Sequence, residues 1–423
     1  MTGAAVRTSV SSSFAVTDAA AAGPRPERGA IAAVGPGRPC GWLGAPAVGG
    51  LGLPDADPAA DRLYAPRGVW LDDERVIVAD TGNHRLLIWH RRDAALPAPH
   101  AAADVVLGQP DMTTEGAQAG GRGPANGMRL PTGVLVVDGR LVVADAWNHR
   151  LLVWHEVPTV SDTPPDVVLG QPDAESTREN RGGDCGPHGF YWPFGLAMID
   201  GRFWVADTGN RRVLIWNELP LDPNVGPDVV LGQPDARSRE ENRGGINASS
   251  FRWPHDVAAA GGVVWVADAG NHRLLGWTGP IEGDRPADLV LGQEDFTSGA
   301  EFPYVPQTAW QFRFPYAVSV DPHPGGDGSG PGSPAMVVAD TSNNRILTWT
   351  EAPTTSTAPA DGVLGQFDMA AAGENRWDAV GDDTFCWPYG TALHRGVLAV
   401  ADSGNNRVTL WDLRSGGVDP ASP

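Results

Sequence analysis

The sequence predicts an all-β fold: a six-bladed β-propeller of four-stranded antiparallel blades, whose ring is closed by an N-terminal strand that completes the last blade. Three observations lead to this prediction. One block of twelve residues recurs six times, a second block alternates with it, and the two ends of the repeating region carry complementary parts of one repeat. Recurrence of this kind indicates a repeat architecture, in which blades extend one domain without starting a new core.

The first block reads VADTGNHRLLIW in its first copy and ends in tryptophan in every copy. The copies end at Trp89, Trp154, Trp216, Trp277, Trp349 and Trp411. The aspartates of successive copies lie 65, 62, 61, 72 and 62 residues apart. The longest interval contains the insertion 322–334, whose Gly and Pro residues predict a surface loop.

The second block reads LGQPD at Leu107, Leu169 and Leu231, with variants at Leu291 and Leu364 and a weaker copy, LGLPD, at Leu51. A proline followed by an apolar run, as at Pro131, precedes each first block. Each repeat therefore contains four short apolar segments bounded by turn residues, which predicts four strands. Because these segments are apolar almost throughout, both faces of each sheet must be covered, and blades stacked around an axis satisfy that requirement.

The closure of the ring is predicted from the ends of the repeats. The second block comes first, at Leu51, and the first block comes last, at Trp411. We therefore expect residues near 47–53 to pair with Val408–Trp411 as the fourth strand of the last blade. The predicted organisation is a disordered lead-in rich in Ala, Ser, Gly and Pro (1–39), the propeller (40–414) and a C-terminal tail (415–423).

Composition limits the partners. The chain has 31 Lys and Arg against 51 Asp and Glu, a net charge of -20, which disfavours nucleic acid and acidic membranes. Three scattered cysteines indicate neither a disulfide framework nor a zinc site. No signal peptide or membrane-spanning stretch is recognised, so a cytoplasmic monomer is expected.

The repeat resembles the NHL repeat: a Pro-x-Gly-Val lead, then VADTGNHR, then a strand that ends in an aromatic residue. The resemblance covers roughly residues 48–411. It implies a propeller that serves as a binding platform, with protein or RNA partners on its top face. Similar propellers include the peptidyl-hydroxyglycine amidating lyases and the lactonases, so the resemblance implies a fold and a face without a reaction.

The repeated Asp and Arg of the first block are interpreted as structural, because Asp at a strand end suits a turn and one catalytic site does not need six copies. These residues are Asp80, Arg85, Asp145, Arg150, Asp207, Arg212, Asp268, Arg273, Asp340, Arg345, Asp402 and Arg407.

Candidate ligand-binding residues are sought where the repeats differ at equivalent positions near the axis, directly after the proline that opens each repeat. These positions hold Arg67, Thr132, Phe194, His255, Tyr316 and Tyr389. They predict a pocket at the upper mouth of the central channel, for a small polar or aromatic ligand. The alternative is that the aromatic side chains plug the channel. His188 and Trp310, in long connecting loops, are further candidates.

The leading hypothesis is a non-enzymatic scaffold that binds a protein partner or a small ligand on its top face. The rival is a propeller enzyme of the lyase or lactonase type with a metal in the channel. His255 lies in a Pro-His-Asp segment like that of the amidating lyases, yet the equivalent positions hold no other histidine. No catalytic residue, cofactor or metal ligand is therefore predicted. His84, His149 and His272 recur at one repeat position and are interpreted as turn variation.

Overall fold

The structure is a computed structural model and describes residues 37–44, 57–321 and 335–414. Within these ranges the chain forms six four-stranded antiparallel sheets, the blades. In five of them the strands follow the order of the sequence from the axis outwards, and in the sixth the outermost strand comes from the N-terminal part of the chain. The predicted fold class is confirmed. The insertion 322–334 lies outside the described residues.

The first three blades have the following strands. Blade 1 consists of β2 (Gly68–Leu71), β3 (Arg75–Asp80), β4 (Arg85–His90) and β5 (Val105–Leu107). Blade 2 consists of β6 (Val134–Val137), β7 (Arg140–Asp145), β8 (Arg150–Trp154) and β9 (Val167–Leu169). Blade 3 consists of β10 (Pro193–Ile199), β11 (Arg202–Asp207), β12 (Arg212–Trp216) and β13 (Val229–Leu231).

The last three blades follow the same pattern. Blade 4 consists of β14 (Pro254–Ala260), β15 (Val263–Asp268), β16 (Arg273–Thr278) and β17 (Leu289–Leu291). Blade 5 consists of β18 (Pro315–Val320), β19 (Met336–Asp340), β20 (Arg345–Trp349) and β21 (Gly362–Leu364). Blade 6 consists of β22 (Pro388–His394), β23 (Val397–Asp402), β24 (Arg407–Asp412) and β1 (Arg38–Gly44).

Helical structure in the described residues is confined to single turns. A short turn, Ala117–Gly121, lies between blades 1 and 2, and its central residues Gln118, Ala119 and Gly120 have left-handed dihedral angles. Six 3-10 turns join the second and third strands of the blades: Thr81–Asn83, Ala146–Asn148, Thr208–Asn210, Ala269–Asn271, Thr341–Asn343 and Ser403–Asn405. Five others lie in connecting loops: Arg92–Ala94, Pro124–Asn126, Glu179–Gly182, Glu241–Gly244 and Glu374–Trp377. None of the described helices is long and apolar enough to cross a membrane.

The core lies between neighbouring blades. The innermost strands contact each other in the cyclic order β2, β6, β10, β14, β18 and β22, and β22 contacts β2. Buried apolar side chains of each pair of adjacent blades form a separate cluster. The tryptophan near the end of the third strand is buried in every blade. In blades 1 to 5 its indole N–H donates to a loop carbonyl, as Trp89 does to Ala101 at 2.8 Å, and in blade 6 Trp411 donates to the Thr409 hydroxyl.

An N-terminal strand closes the ring, as predicted, but it is β1 and not the segment 47–53, which lies outside the described residues. Leu43 of β1 pairs with Val408, as Leu107 of blade 1 pairs with Leu86. Gly44 has φ 94°, and Gly108 has φ 83°. The sequence contains two Leu-Gly-x-Pro copies, at 43 and 51, and the structure uses the first one. Leu43 is fully buried in the cluster between blades 6 and 1.

Each blade contains a buried Asp–Arg pair. In blade 3, Arg212 Nε lies 2.8 Å from Asp207 Oδ2, and both side chains are fully buried. Arg212 also donates to the carbonyls of Gly186 and Gly189, at 2.9 and 3.0 Å. Asp207 Oδ1 accepts the backbone N–H of Tyr191 at 2.8 Å. The pair therefore fastens the loop that leads into the innermost strand to the turn between the second and third strands.

The same pair recurs in the other blades. Its members are Asp80 with Arg85, Asp145 with Arg150, Asp268 with Arg273, Asp340 with Arg345, and Asp402 with Arg407. Their Nε to Oδ2 distances lie between 2.7 and 2.9 Å.

A second recurring bond joins each blade to the next. It starts from the residue after the turn asparagine, which has a left-handed φ of 52° to 58° in every blade. His149 Nδ1 accepts the backbone N–H of Trp192 at 3.2 Å, and Trp192 directly precedes the proline of the next innermost strand. We call this contact the inter-blade bond. Position by position it joins His84 to Leu130, His149 to Trp192, His272 to Phe314, Asn344 to Trp387, and Asn406 to Ala65.

The inter-blade bond accompanies an unusual backbone. All five residues that donate to it have positive φ, between 46° and 53°. Arg211, which offers no acceptor, occupies the equivalent position in blade 3. The backbone N–H of Trp253 therefore donates to Asp268 Oδ1 instead, at 3.3 Å, and Trp253 does not have positive φ. The interpretation of His84, His149 and His272 as turn variation therefore missed an interaction between blades.

We predict that Arg212→Met destabilises the protein by about 3–5 kcal/mol, because it leaves the buried Asp207 carboxylate without its counter-ion. Arg122→Met is the matched control, since Arg122 pairs with Asp162 at the surface and should contribute about 0–1 kcal/mol. Urea unfolding followed by tryptophan fluorescence measures both values. Equal losses in the two variants would contradict a structural role for the buried pair.

We predict that acid weakens the inter-blade bonds formed by histidine. Burial lowers the pKa of His149 to about 4, and the pKa values of His84 and His272 are also lowered. Because the unfolded chain then binds more protons, stability falls as the pH drops below about 6.5. His149→Asn keeps an acceptor, as Asn344 does, without a titrating ring. We expect wild type to lose about 1–2 kcal/mol more than this variant between pH 7 and pH 5 in urea titrations.

The reciprocal variant supplies the control. Asn344→His should add the pH dependence that His149→Asn removes. Parallel stability curves for wild type and His149→Asn from pH 7 to pH 5 would rule out this role for His149.

Candidate functional site

A central cavity of about 630 Å³ is lined by the innermost strands of all six blades. The face at which these strands begin is called the top face. It also carries the Asp-x-x-Asn turns, because Pro193 at the start of β10 pairs with Asp207 at the end of β11. This geometry follows from the antiparallel order of strands in each blade.

The structure brings together all six positions that the sequence singled out after the prolines. Arg67, Thr132, Phe194, His255, Tyr316 and Tyr389 line the cavity at its top end, and we call them the collar. The innermost strands are closely spaced at this level. A Cβ on Gly195 would lie only 2.5 Å from the His255 carbonyl oxygen of the next blade. Backbone contact between blades thus sets the spacing of the collar side chains.

Five collar side chains stack in sequence around the mouth. The Arg67 guanidinium lies 4.6 Å from the ring centroid of Tyr389, and Tyr389 stacks on Tyr316 at 4.7 Å. Tyr316 stacks on His255 at 4.3 Å, and His255 lies 4.6 Å from Phe194. Because neighbours cover the ring faces, the ring edges and polar atoms are the groups that a molecule on the axis would meet.

His255 is neutral and has a defined tautomer. Its Nδ1 lies 3.1 Å from the Trp253 carbonyl oxygen, so Nδ1 carries the proton and Nε2 is an acceptor. Burial lowers the pKa of His255 to about 4, and the positive charge of Arg67 acts in the same direction. At neutral pH this ring can accept a hydrogen bond from a ligand.

Asp256 stands where four other blades have glycine and one has alanine. Its Oδ1 accepts the N–H of Val257 at 2.9 Å, and its Oδ2 accepts the N–H of Val318 at 3.0 Å. Burial raises the pKa of Asp256 to about 7 although these bonds favour the charged form. Both carboxyl oxygens are therefore engaged, and the bond from Val318 joins blade 4 to blade 5.

Arg67 differs from the arginines of the buried pairs. Within the described ranges no carboxylate or carbonyl accepts a hydrogen bond from its guanidinium, and its Nε is buried without a partner. Its position is set instead by the stack on Tyr389. The collar therefore presents a cation that the described part of the protein does not neutralise.

Aromatic residues surround the collar at a second level that the sequence analysis did not identify. They are the residues that precede the prolines of blades 3 to 6: Trp192, Trp253, Phe314 and Trp387. Trp253 stacks on Phe314 at 6.1 Å, and Phe314 lies 6.2 Å from Tyr316. The signal was present as Trp-Pro and Phe-Pro pairs, but the inter-blade bond, which holds Trp192, Phe314 and Trp387, is visible only in the structure.

The remaining candidates do not join the collar. His188 lies in the loop before β10 and lines a small crevice between blades 2 and 3 together with Pro223. Trp310 is half-buried in the loop before β18. Neither residue lines the central cavity. Among the described residues, no three His, Cys, Asp or Glu side chains are grouped so that they could hold a metal ion.

Comparison with known proteins identifies the repeat. The NHL repeat pattern matches residues 128–154 and 251–277. No curated protein matches the sequence.

Two solved structures resemble the chain at low identity. One is a protein of unknown function from Bacteroides thetaiotaomicron, with 12% identity, a TM-score of 0.46, and coverage of 85% of this chain and 72% of that one. The other is a streptogramin B lyase, with 11% identity, a TM-score of 0.40, and coverage of 84% and 95%. Likenesses at this level carry no argument about function. The chain is thus a six-bladed β-propeller, and two of its segments match the NHL repeat.

Proposed function

We propose that this protein is a non-enzymatic binding propeller that holds a small ligand in its central cavity, entered through the collar. The observation that carries the proposal is the cavity itself: about 630 Å³, with largely apolar walls, the collar groups at its top end and Asp72, Asp200 and His394 towards its other end. Ligand sites of proteins commonly have this size and composition. The sixfold repeat supplies a rigid wall, and the residues that differ between blades supply the chemistry.

The polar groups of the collar are few and well oriented. His255 offers Nε2 as an acceptor, and the Tyr316 and Tyr389 rings, which both carry hydroxyls, stack at 4.7 Å. Burial and the neighbouring Tyr389 raise the pKa of Tyr316, so its hydroxyl stays protonated and can donate. Stacking restrains each ring, which reduces the entropy lost when a ligand binds.

A small ligand suits this site better than a protein partner does. The collar is concave, and its walls are the innermost strands, which are buried between blades. A protein partner would first contact the loops of the top face. A small molecule can reach the collar polar groups without displacing those loops.

We predict that ligands of this cavity depend on Tyr316. A library of aromatic acids, alcohols and sugars is screened against the full chain by thermal shift, and the affinity of each hit is measured by calorimetry. Tyr316→Ala should weaken the hits on the order of tenfold or more, because it removes the centre of the collar stack. Tyr304→Ala is the matched control, since Tyr304 is 96% exposed and lies outside the collar.

Two results would count against the proposed function. One is the absence of any small molecule that stabilises the wild-type protein. The other is a set of hits whose affinity is unchanged in Tyr316→Ala. A Tyr316→Phe variant, which retains the ring, separates loss of the stack from loss of the hydroxyl.

A further inference from the structure

We infer that the ligand of the collar is a small aromatic carboxylate, with its anionic group on Arg67 and a hydrogen-bond donor directed at His255. This inference rests on the proposed function, because it names the chemical class of the molecule that the cavity binds.

Arg67 has no acidic partner among the described residues. The described arginines of the six buried pairs each have an aspartate within 2.9 Å, whereas no described acid lies within ion-pair distance of Arg67. This is unexpected in a chain with 51 acidic and 31 basic residues. A guanidinium that lines a cavity without a counter-ion is suited to a carboxylate, which it can bind through two parallel hydrogen bonds.

The Arg67 guanidinium is held in place before any ligand binds. Its position over the Tyr389 ring, 4.6 Å from the centroid, restrains a side chain that would otherwise have many rotamers. Tyr389 is itself held by Tyr316. Because the guanidinium is already oriented, little side-chain entropy is lost when an anion binds to it.

The collar does not suit a cationic ligand. Recognition of a cation by aromatic residues requires an open ring face. In the collar, Tyr389 lies between Arg67 and Tyr316, and Tyr316 lies between Tyr389 and His255. The positively polarised ring edges remain, and these favour negative charge.

Asp256 is the carboxyl group that lies beside the collar. Both of its oxygens accept backbone N–H groups, from Val257 and Val318. Neither oxygen needs a ligand cation for satisfaction. Asp256 also lies on blade 4 and Arg67 opens blade 1, so two blades lie between them on either side of the ring. The charge that dominates the Arg67 side of the mouth is therefore positive.

His255 determines which group the other end of the ligand carries. His255 also belongs to blade 4, opposite Arg67 in a six-membered ring. Its Nε2 is an acceptor, because Nδ1 donates to Trp253. A flat molecule across the mouth, with a carboxylate at one end and a hydroxyl at the other, would satisfy both groups.

The experiment compares two nearly isosteric probes, 4-hydroxybenzoate and 4-hydroxybenzamide, by calorimetric titration into the full chain. We expect the carboxylate to bind wild type about tenfold or more tightly than the amide. Arg67→Gln should remove this difference while leaving amide binding in place. Arg252→Gln is the matched control: Arg252 likewise lies over an aromatic ring, 5.0 Å from that of Trp253, but it pairs with Glu241 at 3.2 Å.

Each other outcome overturns the inference. If the amide binds wild type as tightly as the carboxylate, the cavity binds small molecules and only the anionic class is wrong. If Arg252→Gln rather than Arg67→Gln removes the preference, the anion lies elsewhere on the top face. If neither probe binds, the chemical class is wrong, and the Tyr316→Ala screen separately decides the proposed function. The comparison of probes on wild type needs no variant, so poor folding of Arg67→Gln cannot obscure it.

Discussion

The buried Asp–Arg pair is the interaction on which the rest of this structure depends. A charged pair without solvent is unfavourable unless its hydrogen-bonding capacity is used. Here the aspartate accepts from a loop N–H and from the turn asparagine, as Asp207 does from Tyr191 and Asn210. The arginine donates to loop carbonyls on both sides of the blade. One pair thereby holds together the entry loop, the turn and the exit loop of a blade whose strands are only three to seven residues long.

That constraint also explains why function can be looked for at the collar. The entry loop held by the pair leads directly to the proline and the collar residue, so equivalent positions in six blades arrive at one mouth. Any difference between repeats at this position becomes a difference around a single cavity. Arg67, His255 and the two tyrosines are therefore neighbours in space although they are spread over 323 residues of sequence. The repeat provides the symmetry, and departures from it provide a site.

The sequence was sufficient for the blades, for the face that carries the turns and for the composition of the collar, because each follows from a pattern that recurs six times. It was not sufficient to choose between the Leu-Gly-x-Pro copies at 43 and 51, which have the same local pattern. Only the pairing of Leu43 with Val408 and its burial against blade 1 decide between them. The stacking order in the collar and the tautomer of His255 depend on contacts between blades, which a single repeat does not encode.

The inter-blade bond links the stability of the ring to the geometry of the site. Each bond ends one residue before the proline and two before the collar residue, so it restrains the collar side chain that follows. Phe194 and Tyr316 follow residues held by His149 and His272, whereas Arg67 and Tyr389 follow residues held by Asn406 and Asn344. Asparagine does not titrate. Acid that weakens the histidine bonds therefore leaves the asparagine bonds that precede Arg67 and Tyr389 intact, and the Arg67 side of the mouth is the side whose geometry depends least on pH.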